Sequence, residues 1–297
     1  IQSYSTIFIN EYGASLNLGA AGGLAITKTV TGHALAKEQF EFKVKAVNTD
    51  TATADEAAEL FGFKEGETEV TFKNNEAAAD GQTVTMLKTD TNFTLKNLGK
   101  VYKYEVSEMN DKKPGYTYDD TVYTVELWVT DDGDGTLTLH TKVTDEKGSV
   151  ISEETSNETD QKQTVLAFNN SYAGSGVLDG SANLAGTKKM DGPWEATDKD
   201  LSGFRFTITG GDEATNAAIT AGTVVLPQSV TATSDADGNF NFGDITFNEK
   251  GTYKFTVSEV VPAEGDKIPG VAYNAETVTI IVNVTDNDDG TLTAALA

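Results

Sequence analysis

Residues 102–108 read Tyr102-Lys103-Tyr104-Glu105-Val106-Ser107-Glu108, and residues 253–259 read Tyr253-Lys254-Phe255-Thr256-Val257-Ser258-Glu259. In each run every second residue is large and apolar until the last, which is a glutamate. A strand places alternate side chains on opposite faces. Tyr102, Tyr104, Val106 and Glu108 therefore share one face, as do Tyr253, Phe255, Val257 and Glu259. The same period-two pattern, rich in Thr, Val, Tyr and Phe, returns at Phe40 to Val44, Tyr123 to Thr130, Phe204 to Ile208 and Thr277 to Val284. The acidic glycine-containing segments 131–135 and 287–290 fall between such runs and predict hairpin turns. The Ala- and Glu-rich stretch Thr53 to Leu60 tolerates a helix but is short enough to be a loop turn. The expected fold class is all-β, with tandem Ig-like β-sandwich domains.

An internal repeat organises the chain. Leu24-Ala25-Ile26-Thr27-Lys28 returns as Leu184-Ala185-Gly186-Thr187-Lys188, and Phe8-Ile9-Asn10-Glu11-Tyr12 returns at the same spacing as Phe168-Asn169-Asn170-Ser171-Tyr172. Pro114-Gly115-Tyr116-Thr117-Tyr118 returns as Pro269-Gly270-Val271-Ala272-Tyr273, and a Gly-Thr-Leu-Thr strand starts at both Gly135 and Gly290. The spacing shrinks between Lys188 and Glu259, so the second copy is trimmed in its first half. The expected frame is residues 1–14 as the last strand of a preceding repeat (or a donated strand), 15–174 as one complete sandwich, and 175–297 as a second sandwich without its last strand. The Gly- and Ala-rich stretches 13–23 and 173–183 then read as linkers.

Composition narrows the function. The 297 residues carry 22 basic and 46 acidic side chains, a net charge of −24. That charge disfavours a nucleic-acid grip and docking on anionic lipid. No apolar run is long enough to span a bilayer, and no signal or anchor motif is evident. There is no cysteine, and the two histidines, His33 and His140, lie in separate segments. Disulfides, thiolate metal sites and His-based triads are poorly supplied, and no metal or other cofactor is implied.

Three kinds of polar residue sit on faces that belong to the core. Lys28 is in phase with Leu24, Ile26 and Val30, and Asn170 is in phase with Leu166, Phe168 and Tyr172. Glu108 and Glu259 close their apolar runs. In the second copy Lys188, rather than Lys189, is in phase with Leu184. Strand-end charges often snorkel to the rim. The recurrence of Lys and Glu at matching places, with an inward Asn closing the first copy, argues for burial instead. A buried Lys–Glu pair can remain an ion pair or pass its proton from lysine to glutamate. The transfer costs about 8 kcal/mol in water, and an apolar pocket, which penalises both charged forms, erodes that gap. The neutral amine is a nucleophile, and the protonated acid can polarise an adjacent amide. Attack on the Asn side-chain carbon would expel ammonia and leave a Lys–Asn amide, which proximity in a fixed core makes feasible once.

These motifs resemble the isopeptide-linkage domains of Gram-positive pilins and surface adhesins, the Cna B-type family typified by the streptococcal major pilin. Residues 102–108 and 253–259 look like that family's glutamate box, residues 168–172 its terminal Asn strand, and Lys28-Thr29-Val30-Thr31-Gly32 its opening Lys strand. The resemblance implies a Lys28–Asn170 cross-link assisted by Glu108, and a second site with Lys188 and Glu259 whose asparagine lies beyond position 297. Asn10 could complete such a site in a neighbouring chain. The plainer reading, which we prefer, is a segment out of phase with a longer repeat array. The resemblance further implies a structural shaft or stalk module on the outside of a bacterial cell, fimbrial or attached to the wall. Its partners would be neighbouring repeats or subunits, with no membrane insertion and no turnover catalysis beyond the single self-reaction.

The alternative function is a ligand-binding adhesin that meets a host protein or glycan through loops such as 46–80, or near Trp128 and Trp194. Trp128 is out of phase with Tyr123, Val125, Leu127 and Val129, which predicts a place on the outer sheet face. Asp131, Asp132 and Asp134, and likewise Asp286, Asp288 and Asp289, offer calcium-type oxygens but read first as solvated turns. Gly174-Ser175-Gly176 lacks the strand-to-helix setting of a hydrolase nucleophile.

Overall fold

The computed structural model describes residues 6–197 and 199–297. They form two compact units, the first running to Lys112 and continuing through Tyr116–Tyr172, the second comprising Lys113–Gly115 and Ala173–Ala297.

The first unit runs β1 (Ser15–Asn17), β2 (Leu24–Thr31), β3 (Glu41–Val47), α1 (Ala54–Leu60), β4 (Glu69–Lys73), β5 (Thr83–Lys88), β6 (Asn92–Thr94), β7 (Tyr102–Glu108), β8 (Tyr116–Thr117), β9 (Val122–Asp131), β10 (Leu137–Thr144), β11 (Val150–Ser156) and β12 (Thr164–Tyr172). A six-stranded sheet, ordered β11-β10-β9-β7-β3-β4, faces a four-stranded sheet, ordered β5-β2-β12-β8. The alternation read from the sequence supplies the filling. Tyr102, Tyr104 and Val106 of β7, and Val125, Leu127 and Val129 of β9, are buried against Ile26, Val30, Leu166 and Phe168 of the other sheet. First and last long strands are parallel neighbours, with Phe168 opposite Lys28 and Asn170 opposite Val30. Such a pair cannot be joined by a hairpin and needs a long excursion between its members. Here the rest of the sandwich is that excursion. At the end of β2, Gly32 has φ +90°, and a Cβ there would run into the Tyr172 carbonyl at the end of β12. Glycine therefore lets the two strands stay close to their ends.

Residues 13–23 are not a linker: β1 pairs antiparallel with β6, and Leu16, Leu18 and Ala21 are buried in the core. The alternation Ser15-Leu16-Asn17-Leu18 is short and is masked by the surrounding Gly and Ala. Within the stretch read as a loop turn, Ala54–Leu60 form a true helix capped by Thr53. The Thr53 hydroxyl accepts from the Glu56 N–H (3.2 Å) while the Glu56 carboxylate accepts from the Thr53 N–H (2.8 Å), a reciprocal cap. Ala57 and Ala58 face the core, and the Tyr104 hydroxyl donates to the Ala57 carbonyl (2.8 Å). Tertiary burial thus sustains a helix too short to persist alone.

The second unit contains β13 (Gly176–Leu178), α2 (Gly180–Asn183), β14 (Ala185–Thr187), β15 (Arg205–Gly210), α3 (Glu213–Ala221), β16 (Val224–Val225), β17 (Thr231–Thr233), β18 (Asn239–Asn241), β19 (Ile245–Phe247), β20 (Gly251–Glu259), β21 (Thr277–Asp286) and β22 (Leu292–Leu296). Its sheets are β17-β15-β20-β21-β22, β13-β19-β16 and β14-β18. Phe204, Phe206, Ile208, Phe247, Phe255, Val282 and Val284 form the core. The stretch 173–183 is likewise no linker, since β13 pairs with β19, Leu178 is buried, and Asp179 caps α2. The trimmed half of the repeat carries α3, capped by Asp212 and ended by Gly222 at φ +78°.

Residues 6–12 match β12 in sequence yet belong to no strand, and Ile7, Phe8 and Ile9 are 79, 90 and 81% exposed. Residues 1–5 of the expected strand lie outside the described residues.

Candidate functional site: a buried lysine, glutamate and asparagine

In the first unit the sandwich brings Lys28, Glu108 and Asn170 together. Lys28 and Asn170 come from adjacent strands of one sheet, and Glu108 reaches them from the end of β7 in the facing sheet. The Lys28 Nζ lies 2.8 Å from Glu108 Oε2, and the Asn170 Nδ2 donates to Glu108 Oε1 at 2.9 Å. One carboxyl therefore holds both prospective reactants. The side chains of Lys28 and Glu108 are 0% exposed. The Phe40 ring lies 4.7 Å from the Lys28 nitrogen, and Phe168 packs between Phe42 (5.4 Å) and Tyr123 (5.2 Å).

This setting favours neutral forms. Burial pushes the Lys28 ammonium below its ordinary value, against the opposing hydrogen bond and charge of Glu108. Burial likewise pushes the Glu108 carboxyl up, opposed by Lys28 and by the Asn170 hydrogen bond. Both shifts move the pair toward free amine and protonated acid.

A fourth participant carries no side-chain signature in the sequence. The backbone N–H of Asp119 donates to Asn170 Oδ1 at 2.8 Å. The Asp119 carboxylate accepts from the Asn169 N–H at 2.8 Å and the Thr121 N–H at 3.0 Å. Asp119 thus fixes the asparagine strand with its side chain and polarises the Asn170 carbonyl with its main chain. Its only sequence cue is its place after the repeated Pro-Gly-x-x-Tyr motif.

The second unit builds half of the same arrangement. Lys188 Nζ lies 2.8 and 3.0 Å from the two oxygens of Glu259, and the Phe204 ring lies 4.8 Å from that nitrogen, as Phe40 does for Lys28. The Asn274 N–H, at the position matching Asp119, donates to Glu259 Oε2 at 3.1 Å instead of to an amide. Asn10 lies exposed on residues 6–12, away from any strand.

The remaining candidates are occupied locally. Trp128 is on the outer face of β9, as its phase predicts, and stacks on His140 with ring centroids 5.1 Å apart and planes 5° apart. Trp194 packs edge-on against Phe204, with ring centroids 6.4 Å apart. Asp131 accepts the Gly133 N–H, Asp132 the Thr138 hydroxyl and Asp134 the Thr136 N–H, so these acids hold a hairpin turn together. Asp286 and Asp289 do the same for Asp288 and Thr291.

Paired sheets enclosing a lysine, a bridging glutamate and, in the first unit, an asparagine define the class as isopeptide-type β-sandwich modules. The model of the family described as FctA, Spy0128-like isopeptide containing domain, matches residues 24–173 and again residues 184–297. The chain belongs to that family. Among solved structures it is similar to the major pilin from Streptococcus pyogenes, with 18% identity over 93% of this chain and 97% of that chain and a TM-score of 0.35. It is also similar to the major pilin protein T-13 from Streptococcus pyogenes serotype GAS131465 (17%, 95 and 97%, 0.36) and to a single-substitution mutant of the shaft pilin spaA from Lactobacillus rhamnosus GG (13%, 93 and 98%, 0.20). No curated protein sequence matches the chain. Among the described residues no helix is long and apolar enough to cross a membrane.

Proposed function

We propose that the first unit cross-links itself once, joining Lys28 to Asn170, and thereby serves as a tension-bearing shaft module of a surface pilus, in series with neighbouring subunits or repeats outside the cell. The observation that carries this reading is the single Glu108 carboxyl within hydrogen-bond distance of both the lysine nitrogen and the asparagine amide.

Lys28 passes a proton to Glu108 Oε2 and becomes a free amine. Its Nζ attacks Cγ of Asn170, and the developing negative charge on Oδ1 is received by the Asp119 N–H, already 2.8 Å from that oxygen. Glu108 then gives its proton to Nδ2, the Cγ–Nδ2 bond breaks, and one ammonia leaves as the attacking nitrogen loses its second proton to Glu108. One C–N bond forms, one breaks, and no oxidant, metal or cofactor takes part. Glu108 and the Asp119 N–H touch the reacting atoms, while the Asp119 carboxylate positions the strand.

The strand order gives the bond a mechanical role. The chain enters the four-stranded sheet at Leu24 and leaves it after Tyr172, and the two strands are parallel. Entry and exit therefore lie at opposite ends of the pair, and tension loads it in shear. A Lys28–Asn170 amide carries that load from one strand to the other, so residues 29–169 stay outside the force path. The test is peptide mapping after proteolysis. A branched peptide joining Lys28 to Asn170, absent from Glu108→Ala, is expected. Separate unmodified Lys28 and Asn170 peptides from the native protein would overturn the reading.

A further inference from the structure

We infer that the side of the first unit carries a binding site for a single-chain glycolipid. The alkyl tail lies in an apolar groove, and the uncharged sugar head lies in a polar cleft that shares a wall with it.

The groove follows from how the two sheets end. β4 is the last strand of the six-stranded sheet and β5 the last strand of the four-stranded sheet. Among the described residues no strand closes the gap between these two edges. The inward residues Val70 and Phe72 of β4 and Met86 of β5 are therefore only half-buried, whereas their cross-strand partners Val44, Phe42 and Ile26 are buried. The gap is a groove of about 530 Å³, with Tyr104, Val106 and Leu166 at its bottom. That volume is ordinary for a small-molecule site. An alkyl chain fills such a wall without leaving a polar group unpaired.

Beside α1 the character of the wall changes. A second cavity of about 450 Å³ shares Phe61, Gly62 and Lys88 with the groove, so one molecule can span both. Lys88 straddles the boundary: its Nζ is held by Asp90 (2.6 Å), a residue of the cleft, and donates to the Phe61 carbonyl (3.0 Å). The cleft carries three cations and three carboxylates. Lys88 is paired with Asp90 and Lys100 with Glu56 (2.6 Å), while Lys96 and Glu59 are exposed and have no ion-pair partner among the described residues. Matched charge disfavours a head of either sign. An available donor on Lys96 and an available acceptor on Glu59 suit neighbouring hydroxyls, each of which both donates and accepts. Thr91 also lines the cleft. It is 2% exposed, and its hydroxyl has no hydrogen-bond partner among the described residues, an uncommon state for a buried polar atom.

The experiment titrates the full chain with octyl glucoside, below its micelle-forming concentration, by isothermal titration calorimetry. Saturable one-to-one binding is expected. Heptyl glucoside, one methylene shorter, should bind about fourfold more weakly, and methyl glucoside, which has no tail, should give no measurable binding. Octanoate and octylammonium, with charged heads, should each bind more weakly than octyl glucoside. The double variant Glu59→Ala, Lys96→Ala should lose about tenfold in affinity, the worth of one hydrogen bond to a charged group. Its fold should be intact, because both side chains are exposed. Met86→Trp, which fills the groove, should abolish binding, and if that variant fails to fold the double variant still decides. No saturable binding of octyl glucoside would overturn the inference. So would charged heads that bind as tightly as the glucoside, or a double variant with unchanged affinity, since either would mean apolar adsorption without a head site.

Discussion

Replacing Asn170 by alanine removes the proposed electrophile but leaves the Lys28–Glu108 pair, so it isolates the contribution of the cross-link. Closing the chain between residues 28 and 170 restricts the unfolded ensemble by about 5 kcal/mol on loop-closure arithmetic. For a domain of this size each kcal/mol moves the melting midpoint by about 2–4 °C, so the first unit of Asn170→Ala should melt roughly 10–20 °C below the parent. The lost hydrogen bonds to Glu108 and the Asp119 N–H add about 1 kcal/mol each. Glu108→Ala also blocks the bond, and it leaves Lys28 without its 2.8 Å partner in a site with no solvent. Breaking a buried pair costs about 3–5 kcal/mol, part of which the lysine recovers by giving up its proton. The expected order of stability is therefore parent, then Asn170→Ala, then Glu108→Ala. Differential scanning calorimetry of the full chain reads this, with the second unit's transition as an unmoved internal reference. Asn170→Ala melting within about 2 °C of the parent would refute the reasoning, because so small a shift leaves no room for a closed loop of this length.

Further outcomes follow from the same geometry. A chain made by cell-free synthesis, held in urea and then refolded at set pH should form the bond with a bell-shaped rate profile. At low pH the lysine is protonated and cannot attack, and at high pH Glu108 has no proton to deliver. Because burial lowers Lys28 from 10.5 and raises Glu108 from 4.5, both arms should lie inside those two values; a rate still rising past pH 10.5 contradicts this. In the same refolding assay Asp119→Pro, which deletes the N–H on Asn170 Oδ1, should slow bond formation by about 100- to 1000-fold, and an unchanged rate would remove Asp119 from the mechanism. Under force applied at the termini, the parent's first unit should release almost no length. Asn170→Ala should release about 480 Å when residues 29–169 extend, and equal extensions in both would contradict the load path.

Much of this was readable because the decisive residues obey a two-residue period. Lys28, Glu108 and Asn170 each share a face with aliphatic or aromatic neighbours, and a polar residue in that position is conspicuous. Convergence of the three could not be read so directly, since β2 and β12 are parallel and their pairing is non-local. The Asp119 contribution was hidden because a main-chain N–H has no residue type. The stretches 13–23 and 173–183 misled for a different reason. Their glycines and alanines suggest flexible chain, yet Leu16, Leu18 and Leu178 are enough to commit each stretch to a core. Helix α1 falls below the length at which periodicity decides, and its reciprocal cap and the Tyr104 contact make up the difference. Residues 6–12 show the limit of pattern alone. They carry the alternation of β12, but a strand exists only where a partner edge is present.

The central claim is tested most directly by the intact mass of the monomer in denaturant, set against the mass of the sequence. The account predicts a deficit of one ammonia in the parent and none in Glu108→Ala or Asn170→Ala. A parent monomer at full sequence mass would contradict it, and Lys28, Glu108 and Asn170 would then be a buried hydrogen-bonded cluster and nothing more.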